Sequence, residues 1–314
     1  MSAVALAGNL SPHHHLDIFE KARGVGGRLS TRRAGDRQFD HGAQFFTARE
    51  PAFRNFLARP DIVESCVEWQ PRLDTFSPAE KPFRRPWFEP HYVAVPGMSE
   101  LAKRALKGQR VHLQSKVKSL EPNGAAWLLA FEDAATAGPF DCVVVTAPAP
   151  QACELMPAGF PGLIQMSRVV YRPCMALMLG YSEQPVPGSD AAVCHGGVIS
   201  WFCSQHARPG KPEKWSVLLH SDHDWAETNW HQNDDWLARK MLEGFEDLLG
   251  NRLPEADHRA LHRWRYARVR EPAAVDFMLD PDSGLAACGD WCLGDRVEAA
   301  FLSGYRLANA LNAL

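Results

Sequence analysis

Residues 16–46 read LDIFEKARGVGGRLSTRRAGDRQFDHGAQFF, and this stretch decides the fold. Leu16, Ile18 and Phe19 form a short apolar run that halts at Glu20, the pattern of a strand ending in a carboxylate. In dinucleotide-binding βαβ units a carboxylate at that place accepts hydrogen bonds from ribose hydroxyls, and Glu20 has the chemistry to do so. Arg23-Gly24-Val25-Gly26-Gly27-Arg28 follows at once. The three glycines let backbone N–H groups approach a ligand with no Cβ between, while the arginines offer forked donors to a pyrophosphate. Taken alone, the turn reads equally well as a surface loop with solvated arginines.

Thr31-Arg32 and then Asp40-His41-Gly42-Ala43-Gln44-Phe45-Phe46 complete the stretch. A strand ending in an acid, then Gly-Gly-Arg, then Thr-Arg and DHGAQFF, resembles the flavin-containing amine oxidase superfamily, and most closely its renalase-like branch of FAD-dependent oxidoreductases. The resemblance implies an α/β protein: an FAD-binding Rossmann-like domain of the GR2 type, with a substrate domain made of an antiparallel sheet plus helix. It places Glu20 at the adenosine ribose, Gly27 and Arg28 by the pyrophosphate, and Gln44 with Phe45 against the isoalloxazine, with Arg23, Gly26, Gly42 and Ala43 as further cofactor-binding positions. Val117 falls beside the adenine.

A second motif lies near the end. Leu285 to Trp291 reads as a strand closing in Gly289-Asp290, and a helix is expected from Arg296 onward. By resemblance, Asp290 binds ribityl or phosphate groups, and Val297 with Glu298 supplies backbone donors near flavin O2, where a helix N-terminus stabilises negative charge. Two departures from the family pattern stand here: Ala299 where relatives often carry Gly, and Asp295 where Gly is favoured.

The totals exclude little and include much. A chain of 314 residues with 46% hydrophobic and 23% charged content can bury a sizeable core. A net charge of −3 gives no hint of nucleic acid. No apolar run reaches the roughly 18 residues of a membrane helix, and no signal peptide opens the chain, so the expected setting is cytoplasmic. Eight cysteines without a CxxC motif suit free thiols in a reducing compartment. His13-His14-His15 lacks companion ligands at metal spacing and reads as a solvated loop. Nothing fixes the oligomeric state.

An FAD-binding unit begins with a strand and a Gly-x-Gly turn, whereas Met1 to Ala7 reads as the helix that follows them, with Ala3 at the last small position of the fingerprint. The expectation is a chain truncated at its start, with flavin binding in question; the alternative makes Ala3 to Gly8 a strand and Gly8-Asn9 a degenerate turn. Domain boundaries follow the resemblance: FAD-binding segments at 1–50, 93–150 and 267–314, substrate segments at 51–92 and 151–266.

Within 51–92 a short helix around Phe53, Phe56 and Leu57 precedes Pro82 to Pro90, where prolines argue against regular structure. Pro96-Gly97-Met98-Ser99 gives a turn and an N-cap for a helix from Glu100. Phe140 to Thr146 reads as a strand buried on both faces, and Asn233 to Leu249 as an amphipathic helix closed by Gly250. Trp201, Trp264 and Tyr266 are candidates for an aromatic wall facing the flavin, or simply core. No nucleophile or paired-carboxylate spacing is present, so no catalytic residue is named and no metal is expected. The implied activity is oxidase chemistry: FAD takes a hydride from a dihydronicotinamide or an amine, and O2 is reduced to H2O2. The rival reading is a flavin-free protein that keeps the fold.

Overall fold

The computed structural model describes residues 1–78, 80–186 and 188–314. Its larger sheet shows most directly how sequence becomes architecture. Seven strands run in the order His258–Glu271, Val170–Gly180, Ser216–Ser221, Ile199–Ser204, Ala191–Cys194, Leu73–Phe76 and Phe83–Arg84. All pair antiparallel except Leu73–Phe76, which runs parallel to Ala191–Cys194.

Alternation along one strand assigns the two faces. Met175, Leu177 and Leu179 point to one side, where Leu237, Ala238, Met241 and Phe245 of the helix Asp234–Leu249 cover them. Ala176 and Met178 point to the other, against Phe39. Both faces are therefore dry, and each fully buried Leu or Phe contributes on the order of 2 kcal/mol. The covering helix starts where Asn233 Oδ1 accepts from Trp236 N at 2.9 Å and stops where Gly250 adopts φ 71°, a left-handed conformation suited to glycine.

Phe39 belongs to a hairpin, Thr31–Ala34 with Arg37–Asp40, and its burial seats the segment that follows, residues 40–46, against the large sheet. The Rossmann-like part lies behind this hairpin. Its parallel strands form two pieces: Asp17–Glu20 with Arg110–Leu113, and Val143–Val145 with Leu285–Ala287, the latter extended antiparallel by Met278–Asp280. The small side chain at Ala286 lets helices come close. Ser2–Asn9 and Val297–Leu311 pack there on Cys288, and a Cβ at Gly304 would stand 2.3 Å from the Ser2 carbonyl oxygen. A three-stranded antiparallel meander, Val117–Asn123, Ala126–Phe131 and Thr136–Phe140, completes this side. No helix among the described residues is long and apolar enough to cross a membrane.

The structure corrects several expectations. Residues 3–8 are helical, so the alternative strand is excluded. Phe140 to Thr146 is not one buried strand: Thr136–Phe140 ends on the meander, and Val143–Val145 begins on the parallel sheet, because the chain changes sheets at Asp141-Cys142. The Pro-rich stretch holds a two-residue edge strand, Phe83–Arg84, whose residues still own N–H groups between the prolines. The strand before Gly289 stops at Ala287; Gly289 N donates to Ser303 Oγ at 3.2 Å and Asp290–Leu293 turns into a helix. The helix Ser99–Ala105 is capped by Met98 rather than Ser99, whose N–H is taken by Thr31 Oγ1 at 3.2 Å.

Candidate functional site

The Gly-rich turn and the second motif, far apart in sequence, meet. Arg28 Nη2 lies 2.5 Å from Asp290 Oδ1, and Arg28 Nη1 donates to the Ala267 carbonyl at 3.3 Å. Gly26 and Gly27 take φ 120° and 54°, backbone that a side chain would strain. A Cβ on Gly24 or Gly27 would meet nothing within 4 Å, so space opens over the turn. Arg23 is exposed. Glu20 Oε1 accepts from Ala22 N at 2.8 Å, and the Glu20 carbonyl accepts from Ser115 N at 3.0 Å, which brings Val117 to the same edge.

The segment after Phe39 is fixed from both sides. A Cβ on Gly42 would stand 1.9 Å from the Arg28 carbonyl oxygen, which also accepts from Ala43 N at 2.9 Å; only glycine fits. Gln44 is buried and donates from Nε2 to the carbonyls of Asp40 and Gly42 at 2.5 and 2.9 Å. Behind it Asp40 is fully buried. Its Oδ1 accepts from Thr31 Oγ1 at 2.6 Å and Met98 N at 2.9 Å, while Oδ2 faces Lys211 Nζ at 2.7 Å and Arg208 Nη2 at 3.2 Å. Burial alone would raise this carboxyl; the two cations hold it below its ordinary value. Arg208 also donates to the Gln44 carbonyl at 2.7 Å and lies 5.0 Å over the Trp69 ring. Neither Arg208 nor Lys211 carries a local sequence signal: Arg208-Pro209-Gly210-Lys211 has the composition of a solvated turn.

The three candidate wall aromatics do not come together. Trp201 joins Phe45, whose ring is 5.7 Å away; Phe45 also packs on Trp87 at 5.2 Å and His91 at 4.5 Å, and all four residues are half-buried. Trp264 instead stacks on His41 and donates from Nε1 to the His41 carbonyl at 2.8 Å, with His220 Nε2 on the same oxygen at 3.1 Å. Tyr266 pairs with Tyr171 at 5.3 Å. His41 and His220 are each pulled down to about 4, first by burial, then for His41 by neighbouring His262. Trp87 and His91, from the Pro-rich stretch and its exit, complete the Phe45 cluster.

Glu298 acts through its side chain as well as its position. It is fully buried; Oε1 accepts from the backbone N–H groups of Arg49 and Glu50 at 2.6 and 2.7 Å, and Oε2 pairs with Arg296 at 3.0 Å. The carboxylate therefore ties the first turn of the last helix to the chain leaving Phe45. Asp295 pairs with Arg268. Ala299 is buried, and Ala300 accepts from Ser2 Oγ at 2.7 Å.

Comparison with known proteins settles the family. A model of the flavin containing amine oxidoreductase family matches residues 88–312. The chain belongs to that family. A model of an NAD(P)-binding Rossmann-like domain matches residues 1–60. Among solved structures, a putative protoporphyrinogen oxidase from Exiguobacterium sp. 255-15 is similar with a TM-score of 0.78 at 10% identity, covering 99% of this chain and 96% of that one. Putrescine oxidase bound to putrescine is similar at 0.76 and 11%, covering 100% and 97%, and an oxidoreductase from Methanosarcina mazei at 0.71 and 12%, covering 98% of each. At these identities the structures speak for the fold.

Membership of the flavin containing amine oxidoreductase family implies a flavin, and the residues present fit one. Open space lies over Gly24 and Gly27. The helices Ser2–Asn9 and Val297–Leu311 both start without a side-chain cap, which leaves first-turn N–H groups, including those of Val297 and Glu298, for an anionic or carbonyl-bearing group. Arg28 retains exposure while paired with Asp290.

Proposed function

We propose that this chain is an FAD-dependent oxidase of the renalase-like branch, acting in the cytoplasm on a small dihydronicotinamide-type substrate and passing electrons to O2 to give H2O2. In this reading Glu20 and Val117 meet the adenosine end, Arg23, Gly26, Gly27, Arg28, Gly289 and Asp290 the phosphates and ribityl chain, and Gly42, Ala43, Gln44, Phe45, Val297 and Glu298 the ring. FAD, when bound, supplies the hydride acceptor. The protein's part is to bind and orient the donor among Phe45, Trp87, His91 and Trp201.

The observation that carries the choice of substrate is the charge inventory of that aromatic cluster. The carboxylates linked to it are already committed: Glu89 to Arg49 and Glu298 to Arg296 and two backbone N–H groups. The indole N–H groups of Trp87 and Trp201 are buried without an acceptor among the described residues. An ammonium would thus find ring faces and no carboxylate, whereas a planar ring bearing a carbonyl is offered donors. Amine oxidation is the second reading.

The test is reconstitution with FAD followed by anaerobic addition of NADH isomers or of benzylamine, reading the flavin absorption band. Bleaching by a dihydronicotinamide and not by the amine is expected. The reverse result overturns the substrate, and a protein that stays colourless after desalting overturns the flavin.

A further inference from the structure

Three ionic groups meet behind Gln44 with almost no exposure: the side chain of Asp40 at 0% and those of Arg208 and Lys211 at 1% each. One carboxylate faces two cations. The remaining groups on the Asp40 carboxylate are neutral donors, Thr31 Oγ1 and Met98 N–H, and the Gln205 amide oxygen accepts from the Asp40 backbone N–H at 2.8 Å. One further acid is near, the Cys203 thiol, and burial pushes it up despite the pull of Arg208 and Lys211, so it stays protonated. Burial lowers the Lys211 ammonium, and the Asp40 carboxylate opposes that shift. With Lys211 protonated against Asp40, the cluster carries one positive charge in excess among the described residues.

An uncompensated charge in a dry interior is costly, and it is felt at range because salt does not screen it. The cluster is joined directly to the segment expected under the ring: Arg208 donates to the Gln44 carbonyl at 2.7 Å, and the Gln44 amide holds the Asp40 carbonyl. We propose that this surplus charge, acting from behind Gln44, is the counter-charge for the negative charge a bound flavin ring gains on reduction, with Lys211 as a positioning residue that sets the redox potential. The proposal rests on the flavin reading above. It concerns residues that touch no substrate, and it gives a reason for keeping two cations on one carboxylate.

The experiment is a spectroscopic redox titration of the FAD-loaded protein at neutral pH, comparing wild type with Lys211→Met and Lys211→Arg. Methionine fills the space without charge and leaves Asp40 neutralised by Arg208. The expected result is a loss of about tenfold in the preference for reduced over oxidised flavin in Lys211→Met, the size of one charge acting over roughly 10 Å at an effective dielectric of about 20. For a two-electron couple that is about 30 mV toward lower potential. Lys211→Arg keeps the wild-type value.

A second readout uses sulfite, whose addition places negative charge on the oxidised ring: wild type holds the adduct about tenfold more tightly than Lys211→Met. An unchanged potential in Lys211→Met overturns the proposal alone. If that variant does not fold, a wild-type flavin that forms no sulfite adduct overturns it equally. Failure of the wild type to bind FAD overturns the flavin reading and this proposal together.

Discussion

Asp40 and Glu298 are both carboxylates with no exposure, one at each end of the segment that carries Phe45, yet their surroundings differ in kind. Glu298 is neutralised by one arginine that is itself 39% exposed, and its second oxygen is satisfied by two backbone N–H groups. Asp40 sits between two cations that are almost completely desolvated. The first arrangement is a brace that happens to use a charge. The second concentrates charge where water cannot dilute it, and a protein that needed only a brace between hairpin and sheet would have had cheaper options in apolar side chains of the same volume.

The contrast can be broken most forcefully at Asp40. Asp40→Asn leaves Arg208 and Lys211 buried without a counter-ion and should cost about 3–5 kcal/mol, read as a lower urea midpoint with unchanged slope; a cost under about 1 kcal/mol would mean that the Asp40 carboxylate does not neutralise buried cations. Acid gives the next largest effect. His41 and His220 are held neutral, with folded values near 4 against 6.5 in the unfolded chain, so the unfolded state takes up protons first. Their contribution, on the order of a few kcal/mol, is present above pH 6.5 and drains away as pH falls toward 4. Asp40, lowered from 3.8, adds its own loss only below that. A melting temperature that is flat from pH 7 to 5 would remove the histidines from this account.

At the other end, Glu298→Gln keeps an oxygen for the Arg49 and Glu50 N–H groups and loses the pairing with Arg296. The expected cost is about 1–2 kcal/mol by chemical denaturation, clearly below that of Asp40→Asn. If the two variants cost the same, the distinction between brace and charge store is wrong. Arg49→Ala should be the mildest change. The Arg49–Glu89 pair is solvent-facing, and thermal melting should show no resolvable shift.

Much of the fold was legible because its signals are local. The apolar run into Glu20, the glycines at 26 and 27, the D-H-G segment and the capped, amphipathic helix Asp234–Leu249 each announce themselves within a dozen residues. What could not be read was pairing over distance. The strand Leu73–Phe76 is four ordinary residues until Ala191–Cys194 arrives to pair with it. Arg208 and Lys211 sit among Pro and Gly, and only the fold shows that Asp40, at the end of the strand Arg37–Asp40, meets them in the interior. The second motif placed Glu298 correctly in the last helix but for its backbone; that its carboxylate would reach Arg49 depends on how helix and loop pack, which composition does not encode.

Gly304 sets an order of events in the life of the chain. The helix Ser2–Asn9 is synthesised well before the surface it needs, the helix Val297–Leu311, where the absence of a Cβ at Gly304 lets the Ser2 carbonyl approach and where Ala300 receives the Ser2 hydroxyl. Eight residues do not hold a helix in water by themselves. Residues 2–9 therefore lack their packing partner until residues 297–311 emerge to meet them. Through all that time the apolar residues Val4, Ala5 and Leu6 are open to proteases and to other nascent chains.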